Sequence, residues 1–238
     1  VAGQSPKRSS PLDDAPVGMG RVAGRVVTEL ERMIVTGELL PGQPIRQELM
    51  AERLGVSRLP IREGLRHLTA EGLVAHVPNV GYTVARLEQS EFDQIYLMRA
   101  ALEPEVLRSL PRFGTTDLED IRESAAAVAA ASDRADLLDM RLKNQAFHFA
   151  MFDRSLLRLV VAELRRLWTL AMPYHAVYLF DPAARERVLT EHDAMIDALA
   201  VGDNERLIAL MAEHRHGGES GTAMVLQTGS QAAHTPPT

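Results

Sequence analysis

Three histidines and one asparagine, Asn144, His148, His192 and His214, have the spacing of a metal site assembled from helices. Asn144 precedes His148 by four positions, so on a helix both side chains leave one face. His192 and His214 lie either side of Gly202-Asp203. Two helices joined there run antiparallel, and their midpoints face each other. Three imidazoles and an amide oxygen suit a divalent ion such as Zn²⁺ or Ni²⁺. By spacing alone the competing reading stands: helix histidines are more often core or surface residues. A hydrolytic zinc would also need a nearby base. The chain has no His-Glu-x-x-His, and Glu191 sits about 100° around a helix from His192.

A second set is cationic. Arg58, Arg62 and Arg66 recur every four residues and form one basic stripe on a helix, while Ile61, Leu65 and Leu68 fall on another side. Ser57 is a helix N-cap residue, and Pro60 falls in the first turn, where a missing N–H costs little. Such a helix can be held by a core on one side and grip a nucleic acid on the other. A solvated arginine face is the alternative.

The elements that must position these residues follow from periodicity and breakers. A helix is expected over 21–36, with Val22, Val26, Leu30, Met33 and Ile34 on one face and Gly37 as its stop. Leu40-Pro41-Gly42 marks a turn, a second helix spans 47–54, Gly55-Val56-Ser57 turns tightly, and the arginine helix runs to Glu71. Residues 74–77, 78–81 and 82–85 read as strand, turn and strand. Three helices and a terminal hairpin make a winged helix-turn-helix. From Glu88 the pattern is helical only: 89–110, 116–132, 134–152, 156–179, 182–201 and 203–218. The expected fold is therefore mainly α: a winged helix-turn-helix at 21–86 and an antiparallel all-α bundle at 87–218. Residues 1–20 and 219–238, rich in Ser, Gly, Pro and Thr, read as disordered tails.

Composition narrows the class. With 46% hydrophobic and 24% charged residues the chain can bury a core. Cysteine is absent, which removes disulfides and thiolate metal sites. No apolar run approaches a membrane span and the N-terminus lacks a signal-peptide block, so a soluble, cytoplasmic protein without a membrane partner is expected. The net charge of −6 divides unevenly. Residues 21–86 hold nine Arg against seven Glu, +2, whereas 87–238 hold 15 basic and 23 acidic residues, −8. A mildly basic head on an acidic body fits one domain meeting phosphate.

The segments Gly37-Glu38-Leu39-Leu40-Pro41-Gly42, Leu54-Gly55-Val56-Ser57-Arg58, Pro60-Ile61-Arg62-Glu63, Leu68-Thr69-Ala70-Glu71-Gly72-Leu73-Val74 and Pro78-Asn79-Val80-Gly81 resemble the DNA-binding domain of GntR-family transcriptional regulators. The resemblance implies that Arg58 and Arg62, within the Ser57-Arg58-Leu59-Pro60 turn and helix, contact base edges or phosphates in the major groove. It also implies that the hairpin tip carrying Asn79 and Gly81 enters the adjacent minor groove. Leu59 departs from the polar residue usual there, which leaves the recognised sequence open. Arg66 divides between a phosphate contact and an internal salt bridge, and Arg46 between a phosphate contact and a solvated charge.

Asn144-Gln145-Ala146-Phe147-His148 and Glu191-His192-Asp193-Ala194-Met195-Ile196 are similar to the FCD effector domain of the FadR subfamily, and six helices point to its shorter, VanR-like branch. That resemblance implies a metal held by Asn144, His148, His192 and His214. Asn144 is the departure, because many members carry Asp there, and an amide is the weaker ligand. It further implies a homodimer on a palindromic operator, acting as a repressor relieved by a small organic acid. Arg99 matches an arginine common in the first helix of that domain and is a candidate to bind an effector carboxylate, against an i+4 pair with Glu103. Tyr174, His175 and Tyr178 are candidates to line the pocket, against ordinary packing.

Overall fold

The computed structural model describes residues 20–174 and 178–232. Of the tails expected at 1–20 and 219–238, residues 1–19 and 233–238 lie outside these, while 219–232 are helical rather than a loose tail. The chain divides into two compact units, the first ending at Arg86 and the second beginning at Leu87.

In the first unit, α1 (Arg21–Thr36), α2 (Gln47–Leu54) and α3 (Arg58–Glu71) precede a hairpin, β1 (Val74–Val77) and β2 (Gly81–Val84). Each helix stops at a glycine in the left-handed region: Gly37, Gly55 and Gly72. These φ values suit a residue without Cβ, and the turned backbone satisfies the last carbonyls. Helix α1 buries Ala23, Val26, Val27, Leu30, Met33 and Ile34. Val22, expected on that face, is half exposed, and Ala23 takes the inward position. Helix α3 buries Ile61, Leu65 and Leu68. Gly64 lies against α1, where a Cβ would stand 2.9 Å from Val26 Cγ1.

The wing is antiparallel, with Val74 opposite Val84 and Val77 opposite Gly81. Residues 42–45 run along the other side of β2, where Gln43 O accepts from Val84 N at 2.9 Å and Tyr82 O from Ile45 N at 2.8 Å. The stretch read as a simple turn therefore also flanks the wing.

The second unit holds six α-helices among the described residues: α4 (Gln89–Arg108), α5 (Thr115–Asp133), α6 (Leu137–Phe152), α7 (Arg158–Ala171), α8 (Pro182–Val201) and α9 (Asn204–Ala232). Glu88 and Glu91 form a capping box on α4, and Asp136 and Asp181 cap α6 and α8 through their side chains. The core gathers Ile121, Met140, Phe147, Phe152, Leu164, Trp168, Met195 and Met211 from α5 to α9.

Two expectations are corrected. The helix read over 156–179 begins at Arg158 and ends at Ala171, giving way to short 3₁₀ turns at Met172–Tyr174 and Tyr178–Phe180. Pro173 has no N–H to continue the ladder. The last helix does not stop at Gly218 but continues to Ala232. Glycine costs a helix only about 1 kcal/mol per residue, so Gly217, Gly218 and Gly221 weaken it without ending it.

Candidate metal centre and nucleic-acid interface

On α3 the stripe of Arg58, Arg62 and Arg66 is exposed while its apolar face is buried. Arg58 pairs with Glu48 at 2.8 Å, but both side chains are more than half exposed, so a phosphate can replace the carboxylate at little cost. Arg62 and Arg66 form no ion pair among the described residues, so the internal bridge considered for Arg66 is not made. Arg46, at the N-cap of α2, is also exposed. Leu59 is exposed and Pro60 half-buried. Ser57 occupies the N-cap position, yet its hydroxyl makes no capping bond. The N3 residue that would donate is Pro60, which has no N–H. At the wing tip Asn79 and Gly81 take φ values of 65° and 95°, and Val80 projects into solvent.

The three histidines converge. One ring nitrogen from each of His148, His192 and His214 lies within 4.8 Å of the other two, and all three residues are buried. His148 Nε2 and His214 Nε2 are 3.1 Å apart. Helix α6 supplies His148 with Asn144 one turn earlier, α8 supplies His192 and α9 supplies His214. Phe147 stacks on His192 at 4.0 Å between ring centroids, and Trp168 lies 4.9 Å from His148. Asn144 Oδ1, His148 Nδ1 and both nitrogens of His192 are buried without a hydrogen-bond partner. Unpartnered buried polar atoms are expensive unless something coordinates them, and one lone-pair nitrogen from each ring with the Asn144 oxygen fits a divalent ion. Burial, then the neighbouring imidazoles, hold His148 and His192 well below the usual histidine pKa; Arg99 adds to the effect at His148. Both rings are neutral near pH 7, the form that donates a lone pair.

Other residues surround this cluster. Glu191 Oε2 lies 2.6 Å from His214 Nδ1. Arg99 donates from Nε to Glu103 Oε1 at 2.9 Å, and its guanidinium lies 4.0 Å over Trp168. Glu103, fully buried, also accepts from Trp168 Nε1 at 3.2 Å and from Arg215 Nη1 at 2.7 Å. Arg99 thus makes the i+4 pair with Glu103. Tyr174 packs near Phe92, and its hydroxyl accepts from Leu87 N at 2.8 Å. His175 and the Tyr178 side chain lie outside the described residues. Sequence reasoning missed Arg215; it named Glu103 only as the i+4 partner of Arg99, and Glu191 only as a group turned away from His192. The contact of Glu191 with His214 is visible only when α8 and α9 are placed side by side.

A winged helix-turn-helix with an outward arginine face, followed by a helical domain around a histidine cluster, defines the class of one-chain transcriptional regulators. The chain belongs to the GntR family: residues 22–84 match the "Bacterial regulatory proteins, gntR family" domain and residues 94–217 the FCD domain. It is 25% identical over 192 residues to the HTH-type transcriptional regulator McbR of Escherichia coli K12, covering 79% of this chain and 87% of that one. It is 27% identical over 194 residues to the repressor GlaR of the same organism, covering 78% and 88%. A probable D-xylose utilization operon repressor of Paenarthrobacter nicotinovorans is 29% identical over 198 residues, covering 81% and 83%. The solved structure of E. coli McbR/YncC shares the fold, with a TM-score of 0.78 at 24% identity over 89% of this chain and 100% of that one. These relatives are transcriptional regulators, a non-enzymatic family. Among the described residues no helix is long and apolar enough to cross a membrane.

Proposed function

We propose that this regulator is a repressor that binds a palindromic operator as a homodimer and releases it when a small carboxylate binds beside a divalent metal in the helical domain. The observation that carries the reading is the convergence of His148, His192 and His214 with unpartnered buried polar atoms among them and at Asn144. Those three residues and Asn144 would hold the ion, with Zn²⁺ and Ni²⁺ matching the nitrogen-rich set. When bound, the metal supplies an electrophilic position for a carboxylate oxygen. Arg99 sits beside Trp168, and Trp168 beside His148, so an effector carboxylate at the cluster falls near a buried cation.

On the head, Arg58 and Arg62 read base edges or phosphates, and Ser57, Leu59 and Pro60 form the entry to the recognition helix. Arg46 and Arg66 contact phosphates, and Asn79 and Gly81 carry the wing tip into the minor groove. Leu97 on α4 and Leu159 on α7, 68% and 88% exposed in one chain, are surfaces a second copy would cover. A regulator acting this way works in the cytoplasm, where operator DNA lies. Elemental analysis of the purified chain, paired with a thermal-shift screen of mono- and dicarboxylic acids before and after chelation, tests the reading. One metal per chain and metal-dependent stabilisation by an acid support it. No metal, and melting indifferent to every acid, favour a metal-free DNA-binding dimer.

A further inference from the structure

As ligands, three imidazoles and the Asn144 amide carry no charge, so a divalent ion among them would be buried without a compensating anion. Glu191 is placed to supply one. It lies on α8 next to His192, but the helix turns it toward α9, where Oε2 meets His214 Nδ1 at 2.6 Å. A carboxylate only accepts, so Nδ1 of His214 carries the proton and Nε2 keeps its lone pair. That Nε2 is the atom 3.1 Å from His148 Nε2, inside the cluster. Glu191 is itself held. Arg187, one turn earlier, places Nε 3.3 Å from its Oε1. Helix α9 gives Arg187 room at Gly217, where a Cβ would stand 2.7 Å from Nη2. The Glu191 side chain is 19% exposed, which leaves it mostly shielded from water.

We infer that Glu191 is the positioning residue of the histidine cluster. It fixes His214 in the tautomer whose Nε2 faces the ion, and it contributes the negative charge that Asn144 does not. This rests on the metal reading above and adds a fifth residue to it. Metal-bound histidines generally donate their second N–H to such a partner, and losing it lowers affinity about 10–100-fold.

The test uses the full-length protein with Zn²⁺ as the probe. Affinity is read by competition with a chromophoric chelator, and the His214 tautomer by long-range proton–nitrogen correlation spectra of ¹⁵N-histidine-labelled protein. Glu191→Ala is expected to weaken zinc about 10–100-fold and to release the Nδ1–H tautomer. Glu191→Gln keeps an acceptor oxygen and nearly the same shape. It is expected to fold, to keep the tautomer and to lose less affinity. Adding Asn144→Asp to Glu191→Gln puts an anion back and is expected to recover that loss. Zinc affinity unchanged in both Glu191 variants overturns the proposal, as does a wild-type spectrum with His214 protonated at Nε2. Wild-type protein that takes up no zinc ends the metal reading instead, and the ring spectra of the metal-free protein still decide the role of Glu191.

Discussion

Glu103 of α4 and Arg215 of α9, 112 positions apart in the chain, meet at 2.7 Å with the carboxylate fully buried. The same carboxylate accepts from Arg99 and from Trp168. Such a group is costly to desolvate and far costlier to break. Glu103→Ala removes the buried carboxylate that two guanidinium groups share and is expected to destabilise the helical domain by about 3–5 kcal/mol. Urea unfolding followed by the fluorescence of Trp168, the one tryptophan, reads the loss directly. A change below about 1 kcal/mol would mean the network is not buried as described.

Acid is expected to destabilise the metal-free protein through the histidine cluster. Burial keeps His148 and His192 neutral in the folded state, whereas the unfolded chain protonates them near their ordinary value of about 6.5. Below that pH the unfolded state binds more protons, so stability falls as pH drops from about 6.5 toward the lowered folded values. Two such groups give a limiting slope of about 2.7 kcal/mol per pH unit. Unfolding titrations at pH 7.5 and 5.5, on chelated wild type and on His192→Phe, measure it. The variant should lose part of the slope, and an identical pH profile would dissociate His192 from the effect.

Arg62→Ala is expected to leave the head folded, because the side chain is exposed and forms no ion pair among the described residues. Operator affinity should fall by about 1–3 kcal/mol, the worth of one bidentate base contact. Mobility-shift titrations at several salt concentrations separate base from phosphate contact. Loss of a phosphate contact lowers the salt slope by roughly one ion, and loss of a base contact changes sequence preference instead. Unaltered binding would remove Arg62 from the interface.

The head was legible in sequence because its signals are local. Apolar residues recur at helical spacing in α1 and α3, and Gly37, Gly55 and Gly72 sit where their positive φ ends each helix. The inward turn of Ala23 in place of Val22 was not legible, since both fit the stripe and only the packing of α3 on α1 decides. The missing Ser57 cap follows from Pro60 three positions later, a local clue that the N-cap preference of serine overshadowed. In the helical domain, His148, His192 and His214 could be singled out by residue type, and Asn144 by its turn from His148. Their partners could not. Glu191 reaches His214 across 23 positions and Glu103 reaches Arg215 across 112, distances over which no sequence period operates. The break after Ala171 was written in Pro173, but an apolar run on both sides concealed it.

His214 and Arg215 are neighbours on α9, yet they serve different walls of the domain: the first closes on the rings of α6 and α8, the second is moored to α4. About 100° of helix separates their directions. Rolling α9 about its long axis would unseat both together, like two teeth on one cog. The histidine cluster and the anchorage of α4 therefore share α9 as one common support.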